Sequence, residues 1–240
     1  MVKKKMTFKK SVTYYQNVRS LRRKSTTFLK NLTENNYDCI CLTETWLNGD
    51  HSNSDYFTRN YNVFRSDRTT LSRGGGALIA IKDSYNVLRR SDLEYQNEDV
   101  WVEIKLNSQE RLLLGCIYFS RNITLSVYQT FINKLNNQLK NFHGDIIILG
   151  DFNLPGVNWK HGNPNECRYK GKAKCILNLF TSNELKQLNF KKNRYDVILD
   201  LILVNNDKYI ANHTTVKALV PEDDNHPVLS IEFRIEATVQ

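Results

Sequence analysis

The segment DIIILGDFNLPG, residues 145–156, joins an apolar run directly to a group of polar residues. Its four consecutive apolar residues, 146–149, are typical of a strand that is covered on both faces of its sheet. Asp151 and Asn153 lie two residues apart, so both side chains can point to the same side of the strand end. A carboxylate and an amide in that position can bind a metal ion or a phosphate oxygen. The alternative is an Asx-turn that only ends the strand.

Two other apolar runs are associated with an acidic residue. Residues 37–42 lead into Glu44, whose carboxylate is a suitable ligand for Mg²⁺, with a solvent-exposed loop glutamate as the alternative. Residues 199–204 place Asp200 inside an apolar strand, where an unpaired carboxylate is costly. We therefore expect Asp200 to have a partner, or to lie at the rim of a sheet near a cation or a histidine. A structural salt bridge is the alternative.

The last polar cluster, residues 223–227, comes just before the final strand. Pro227 favours an extended backbone at His226. A histidine that follows two acids at the start of a strand is a candidate for proton transfer or phosphate contact, with a core or surface histidine as the alternative. Asn17, Tyr118 and the RGGG segment at 73–76 are weaker candidates, because turns, half-buried tyrosines and glycine loops are common without any function.

The pattern of apolar residues predicts many strands and three helices in one mixed α/β domain. Consecutive strands at 76–82, 100–106 and 111–119, with short polar connections, indicate a hairpin-rich sheet. The elements do not alternate strictly enough for a doubly wound sheet. The other predicted strands are residues 12–15, 37–42, 145–149, 199–204, 214–220 and 228–233, and the predicted helices are residues 20–35, 125–141 and 172–188.

Positive charge is concentrated at the N-terminal end. The net charge is +9, yet residues 1–30 hold ten Lys and Arg and no acid, which leaves 24 basic against 25 acidic residues elsewhere. Such an end suits a polyphosphate partner, with a solvated lysine tail as the alternative. We expect a basic arm at residues 1–10, one domain at 11–235 and a tail at 236–240.

The sequence contains no run of eighteen apolar residues, and no apolar segment follows the N-terminal lysines. We therefore expect no membrane partner, no secretory signal, and a location in the nucleus or cytoplasm. The five cysteines are expected to be free thiols in a reducing compartment.

The order of these motifs resembles the endonuclease/exonuclease/phosphatase superfamily, which includes apurinic endonucleases and pancreatic deoxyribonuclease. It is most similar to the endonuclease domain of non-LTR retrotransposons, over residues 11–234. The stretches that carry this similarity are YYQNVRSL at 14–21, LTETWL at 42–47, RGGGALIA at 73–80, GDFNLP at 150–155 and LDLIL at 199–203.

The resemblance implies a four-layer α/β/β/α sandwich with its site at one rim of two packed sheets. Glu44, with Asn17 nearby, would hold Mg²⁺, or alternatively Mn²⁺. Asp151 would align the attacking water or protonate the leaving oxygen. His226, oriented by Asp200, would contact the scissile phosphate or help to activate the water.

The same resemblance implies that Asn153 and Tyr118 bind phosphate oxygens and that Arg73 lies close to the DNA. It implies a Mg²⁺-dependent endonuclease that nicks double-stranded DNA for retrotransposon insertion. The chain would be a monomer that is fused to, or acts with, a reverse transcriptase.

Two residues depart from the family pattern. Asn225 stands where members usually have the Asp of Ser-Asp-His, and an amide stabilises an imidazolium less than a carboxylate does. Arg19 stands where repair enzymes have a second acid, so a retrotransposon-type nickase fits better than an abasic-site repair enzyme. Two alternative functions remain: a catalytically weakened DNA-binding module, and a small-molecule or lipid phosphoesterase with the same fold.

Overall fold

The computed structural model of the chain describes residues 7–70, 73–95, 98–159, 170–212 and 216–237. This part of the chain forms three α-helices and twelve strands, with two short 3-10 turns at Arg22–Lys24 and Asn53–Asp55. The helices are α1 (Ser25–Glu34), α2 (Leu125–Leu139) and α3 (Lys170–Ser182). The strands are β1 (Thr7–Asn17), β2 (Cys39–Thr43), β3 (Tyr61–Ser66), β4 (Ala77–Lys82), β5 (Asn86–Arg89), β6 (Asp99–Lys105), β7 (Arg111–Tyr118), β8 (Asp145–Asp151), β9 (Lys186–Gln187), β10 (Asp200–Val204), β11 (Ile210–Asn212) and β12 (Leu229–Ala237).

The strands form two six-stranded sheets. The first has the order β11-β12-β1-β2-β4-β3, and the second has the order β5-β6-β7-β8-β10-β9. One parallel pair lies near the middle of each sheet, β1 with β2 and β7 with β8, and the other pairs are antiparallel. Each sheet therefore brings the carboxyl ends of two neighbouring strands to the same rim.

Strand β8 shows why consecutive apolar residues are needed at the centre of the second sheet. Ile147 and Leu149 face the core between the two sheets, whereas Ile146 and Ile148 face the core under α2 and α3. Both faces of the strand are therefore buried, as its apolar run predicts.

The helices cover the outer faces of the sheets. Helix α1 buries Phe28 and Leu32 against the first sheet. Helix α2 buries a stripe of apolar side chains, among them Phe131 and Leu135, against the second. Truncating a fully buried phenylalanine such as Phe131 to alanine typically costs about 3–5 kcal/mol. The resulting order of layers confirms the predicted α/β/β/α sandwich.

The central strand pair is longer than the sequence predicted. Thr7 of β1 pairs with Ala237 of β12, and Lys10 pairs with Arg234. The first sheet therefore includes residues 7–10 of the expected arm and residues 236–237 of the expected tail. The two strands supply each other's backbone hydrogen bonds there. Residues 1–6 and 238–240 lie outside the described residues.

Three predicted elements differ from those observed. The helix predicted at 172–188 ends at Ser182, because residues 186–187 form β9 and pair with β10. Residues 216–220 form no strand, since the Tyr14 hydroxyl and the Gln16 side chain accept hydrogen bonds from the backbone of this segment. Residues 214–215 of that predicted strand lie outside the described residues. The hairpin-rich sheet predicted from three consecutive strands is divided between the two sheets. Strand β4 joins the first sheet, whereas β6 and β7 form a hairpin in the second.

The cysteines that the structure describes are free thiols, with Cys39, Cys41 and Cys116 buried and Cys175 half-buried. Cys167 lies outside the described residues. No helix in the described ranges combines the length and the apolar character that crossing a bilayer requires.

Candidate active site

The predicted site residues converge on one cavity of about 350 Å³ at the rim where the two sheets meet. Asp200 does not line this cavity but lies buried behind it, in contact with His226. The predicted residues that do line the cavity are Asn17, Glu44, Arg73, Tyr118, Asp151, Asn153 and His226.

Strand register places three of these residues side by side in the second sheet. Tyr118 of β7 pairs with Asp151 of β8, and Asp151 pairs with Asp200 of β10. The first sheet contributes Asn17 at the end of β1, and Glu44 directly after its neighbour β2. The site is therefore divided between the sheets, and its geometry depends on how they pack.

Asp151, Asp200 and His226 form a buried cluster whose ligand atoms all lie within 4.8 Å of one another. Nδ1 of His226 lies 2.9 Å from Oδ2 of Asp200, and Nε2 lies 3.7 Å from Oδ2 of Asp151. The hydroxyl of Tyr15 donates to Oδ1 of Asp200 over 2.6 Å. Asp200 thus has partners, as its position inside an apolar run predicts, and one of them is a histidine.

Burial and charge shift the pKa values of two members of this cluster. Burial lowers the pKa of His226, but the charge of Asp200 and its hydrogen bond act in the opposite direction and raise it to about 9. Burial raises the pKa of Asp151 to about 8, with further contributions from the charges of Asp200 and Glu44. Such shifts in a cleft are typical of catalytic groups.

Glu44 is held by two neighbouring loops. Its Oε2 accepts hydrogen bonds from the backbone N–H of Gly75, at 3.1 Å, and from the indole N–H of Trp46. Glu44 has a left-handed backbone, with φ of 55°. This conformation is uncommon for a residue other than glycine, and it recurs at functional sites.

Asn17 connects the first sheet to Asp151, to whose Oδ2 its amide donates over 3.1 Å. Glu44 and Asp151 add two carboxylates to the same cavity, and the charge of Glu44 raises the pKa of Asp151. A divalent cation would relieve this repulsion, and carboxylate and amide oxygens are the ligands that Mg²⁺ prefers. The residues present therefore fit such an ion.

Comparison with known proteins agrees with this geometry. Residues 112–225 match the model of a family described as "Endonuclease-reverse transcriptase". This segment includes Tyr118, Asp151, Asn153 and Asp200 and ends one residue before His226. No curated protein sequence matches the chain.

Solved structures of similar shape span nearly the whole chain. The endonuclease domain of TRAS1, a telomere-specific non-LTR retrotransposon, is 18% identical, with 95% of this chain and 100% of that one covered and a TM-score of 0.71. The AP endonuclease LMAP of Leishmania major is 15% identical, with 95% and 88% covered and a TM-score of 0.66. ANGEL2, a 2',3'-cyclic phosphatase, is 14% identical, with 99% and 100% covered and a TM-score of 0.64.

The chain has the endonuclease/exonuclease/phosphatase fold. The resemblance predicted from the order of the motifs is thereby confirmed. All three structures are below 25% identity and therefore establish the fold alone. The chemistry of the site depends on the side chains of this chain.

Within this fold, Asn153 forms the turn that the sequence offered as an alternative and also lines the cavity. Its backbone N–H donates to Oδ1 of Asp151 over 3.0 Å, which is an Asx-turn at the strand end. Its side-chain amide donates to Oδ2 of Asp151 over 3.0 Å and to the carbonyl of Phe119 over 2.7 Å. The turn fixes the Asp151 carboxylate at the cavity, so it does not argue against a site.

Asn225 does not take the place of the family's aspartate next to the histidine ring. Its amide donates to Oδ1 of Asp223 over 3.0 Å, and Asp223 forms a 2.8 Å ion pair with Arg19. The carboxylate that contacts Nδ1 of His226 belongs to Asp200. The substitution therefore removes no charge from the hydrogen bond that orients the imidazole.

Several residues that sequence analysis did not single out also form the site. Tyr15 lies behind Asp200, and Trp46, Arg68 and Arg121 line the cavity. Arg73 stacks on Trp46, with Cζ 4.8 Å from the ring centroid. The YYQNVRSL and LTETWL stretches, which contain Tyr15 and Trp46, offered a signal, whereas an isolated arginine in a loop is common in any protein.

Proposed function

We propose that this protein is a Mg²⁺-dependent endonuclease that nicks double-stranded DNA for the insertion of a retrotransposon. The observation that carries this proposal is the convergence of Glu44 from one sheet with Asp151 and His226 around one cavity. Hydrolysis of a phosphodiester needs stabilisation of the negative charge on the pentacovalent phosphate and protonation of the leaving oxygen, and these side chains offer both.

Glu44 and Asn17 are the proposed ligands of Mg²⁺, with Mn²⁺ as the alternative. When bound, the ion would supply positive charge to the phosphate oxygens. The other roles belong to the protein's own side chains. Asp151, whose pKa is raised by burial to about 8, is suited to protonate the leaving oxygen.

His226 is the proposed contact to the scissile phosphate. Nδ1 of His226 donates a hydrogen bond to Oδ2 of Asp200, so Nε2 is the ring nitrogen that is left for the substrate. Its pKa, about 9 in spite of burial, makes it a cation at neutral pH in the metal-free protein, which suits a phosphate contact better than a general base. Tyr118 and Asn153 are the proposed donors to the remaining phosphate oxygens, and Asn153 would exchange one of its amide hydrogen bonds, to Asp151 or to Phe119, for the phosphate.

The arginines around the cavity support a polynucleotide substrate. Arg19 and Arg68 are paired with acids, whereas Arg73 and Arg121 form no ion pair within the part of the chain that the structure describes. Arg73 also lines a neighbouring cavity of about 680 Å³, and Arg121 lines another of about 270 Å³ that also borders Asn153. Guanidinium groups that have no acidic partner and that border both the catalytic cavity and its neighbours can bind phosphates that flank the scissile one.

The retrotransposon context is supported by the match of residues 112–225 to a family described as "Endonuclease-reverse transcriptase". The endonuclease domain of TRAS1, which has the same fold, comes from a non-LTR retrotransposon. On this basis we propose that the chain is fused to, or acts with, a reverse transcriptase.

Conversion of supercoiled plasmid to open circles in Mg²⁺ tests the proposal. We expect nicking by the wild-type protein and a loss of at least about 100-fold in both Asp151→Asn and His226→Ala, as is typical when a catalytic acid or donor is removed. Asp145→Asn, the same type of substitution at the half-buried opposite end of β8, is the matched control and should retain activity. Nicking that survives both catalytic substitutions would contradict the proposal.

The same preparation separates the two alternative functions. Salt-sensitive DNA binding without any cleavage would favour a binding module. Turnover of a 2',3'-cyclic phosphate or a 3'-phosphorylated nucleotide, with plasmid left intact, would favour a phosphatase. ANGEL2 is a 2',3'-cyclic phosphatase with the same fold, which makes this second comparison necessary.

A further inference from the structure

An ion pair between Arg68 and Glu98 joins the rims of the two sheets beside the catalytic cavity. Arg68 follows β3 in the first sheet, and Glu98 directly precedes β6 in the second. Nε and Nη2 of Arg68 donate to the two different oxygens of Glu98, which makes the pair bidentate. The side chains are only 18% and 14% exposed, so the pair is largely shielded from water. Bidentate geometry and shielding distinguish it from ordinary surface pairs, which contribute little.

The pair packs directly against the backbone that holds Glu44. A Cβ atom on Gly75 would lie 2.6 Å from Cζ of Arg68 and 2.5 Å from Oε2 of Glu98. The N–H of this same Gly75 donates to Oε2 of Glu44. Gly75 also has φ of 74°, so glycine is required both for the space and for the backbone conformation. The glycine loop therefore lies between the ion pair on one side and the Glu44 carboxylate on the other.

Further contacts fix both ends of this arrangement. Nη1 of Arg68 donates to the carbonyl of Arg73 over 3.4 Å, and the Trp46 N–H donates to the carbonyl of Gly75 over 2.9 Å. On the second sheet, the carbonyl of Glu98 accepts from the N–H of Tyr118 over 3.1 Å. Glu98 has φ of 47° and is another residue with left-handed backbone next to the cavity. Strained backbone persists only where surrounding contacts hold it.

We propose that Arg68 and Glu98 form a rim clamp, a pair of positioning residues that holds the Glu44 carboxylate in its metal-binding position relative to Tyr118 and Asp151. The inference rests on the proposed function, because it assigns the clamp's effect to the proposed metal ligand. The clamp acts through Gly75 and has no ligand of its own. The competing explanation is an ion pair that only stabilises the fold, and it predicts altered stability with unaltered metal affinity.

A titration of the full chain with Mn²⁺ separates these explanations. Binding is measured as loss of the electron paramagnetic resonance signal of the free ion. Arg68→Lys keeps the charge but cannot form the bidentate pair, and Glu98→Gln keeps the shape but removes the charge. We expect each to weaken Mn²⁺ binding by about tenfold or more, as is typical for residues that orient a metal ligand. Raising the Mn²⁺ concentration should restore plasmid nicking by Arg68→Lys, because the defect lies in affinity.

The pair Arg90–Glu103 provides the matched control. Its nitrogen–oxygen distance is 2.8 Å, its side chains are 24% and 16% exposed, and neither residue lines the catalytic cavity. Arg90→Lys and Glu103→Gln should change the melting temperature by amounts similar to those of the clamp variants and leave Mn²⁺ affinity within about twofold, since distant sites are energetically independent.

Glu44→Gln separates failure of this inference from failure of the proposed function. If Glu44→Gln weakens Mn²⁺ binding while Arg68→Lys and Glu98→Gln match the control pair, the rim clamp is overturned and the metal site stands. If Glu44→Gln itself has no effect, the proposed metal role of Glu44 and the clamp are both overturned. Should either clamp variant fail to fold, Gly75→Ala tests the same link, and unchanged Mn²⁺ affinity in a folded Gly75→Ala protein would contradict the inference.

Discussion

The hydroxyl of Tyr15 donates a 2.6 Å hydrogen bond to Oδ1 of Asp200, and this bond connects the first sheet to the second behind His226. Both residues are buried, and the same hydroxyl lies 2.9 Å from Oγ1 of Thr43. Burial raises the pKa of Tyr15, so the hydroxyl keeps its proton and remains a donor. The opposite oxygen of Asp200 contacts His226, and the strength of each contact therefore depends on the other.

Replacing Tyr15 with phenylalanine should lower the free energy of unfolding by about 1.5–3 kcal/mol, because a buried hydrogen bond to a charged group is lost and the carboxylate stays buried. Urea denaturation measures this change. Tyr195→Phe is the control, since Tyr195 is 63% exposed and such surface changes stay within about 0.5 kcal/mol. Equal effects of the two substitutions would show that the Tyr15–Asp200 bond adds nothing to stability.

The pKa of His226 in the metal-free protein should fall when Asp200 is replaced by asparagine. Burial alone lowers this pKa, and the value of about 9 depends on the charge and hydrogen bond of Asp200. In wild-type protein, NMR titration should show one imidazole with a pKa near 9, and in Asp200→Asn that titration should move to a clearly lower pH. Asp224→Asn, which alters a surface ion pair with Arg194, should leave the titration in place. Persistence of the high pKa in Asp200→Asn would contradict the assignment.

The same groups predict how the stability of the metal-free protein depends on pH. The folded pKa of His226 exceeds its ordinary value of 6.5, so its contribution is complete below pH 6.5 and is lost as pH rises to about 9. Burial raises the pKa of Asp151 from 3.8 to about 8. The folded state therefore binds this proton more tightly than the unfolded state, and the free energy of unfolding falls as pH rises from about 3.8 to about 8. The free energy of unfolding should therefore decrease between pH 6.5 and 9, and the decrease should be smaller in Asp200→Asn. A rise in stability over this interval in urea denaturation would be incompatible with these shifts.

Addition of Mg²⁺ should stabilise the protein against thermal unfolding. An ion that binds only the folded state contributes about 1.4 kcal/mol at ten times its dissociation constant and about 2.7 kcal/mol at one hundred times. A melting curve with and without Mg²⁺, repeated after chelation, measures this effect. Glu44→Gln should abolish most of the increase, whereas Glu103→Gln should retain it. An increase of the same size in Glu44→Gln would exclude this carboxylate as a ligand.

Asn225→Asp, which restores the residue that the family usually has, should not increase activity. The Asn225 side chain donates to Asp223, so an aspartate would place two carboxylates together and lose that hydrogen bond. We expect plasmid nicking within about threefold of wild type and a loss of roughly 0.5–1 kcal/mol in stability. A tenfold or greater gain in the nicking rate would show that position 225 acts on His226 after all.

The resemblance implied the layers of the fold, and sequence patterns predicted most of the elements that bring the site together. The consecutive apolar residues of β8 predicted a strand buried on both faces, and the position of Asp200 within an apolar run predicted that it would have a partner, which is His226. These predictions succeed because a buried strand and a buried charge each have few physical solutions. The order of weak motifs then identified the fold, which no single motif could do.

Other features depend on contacts between segments far apart in the chain. The segment at 216–220 has the composition of a strand, yet side chains of Tyr14 and Gln16 satisfy its backbone. Arg68 and Glu98 lie thirty residues apart in different loops, so no local pattern indicates their pairing. Asn225 precedes His226 in the sequence, and this adjacency suggested an effect on the imidazole. Its side chain instead donates to Asp223.

The proposed catalytic side chains described above lie within three residues of a strand end, and the register of the second sheet fixes Tyr118, Asp151 and Asp200 relative to one another. If the proposed function holds, exchanging a loop that continues beyond these strand ends would alter which stretch of a genome is presented to the cavity while the side chains on the strands stay in place. A retrotransposon that carried such a variant would acquire a new insertion address without having to rebuild its cutting chemistry.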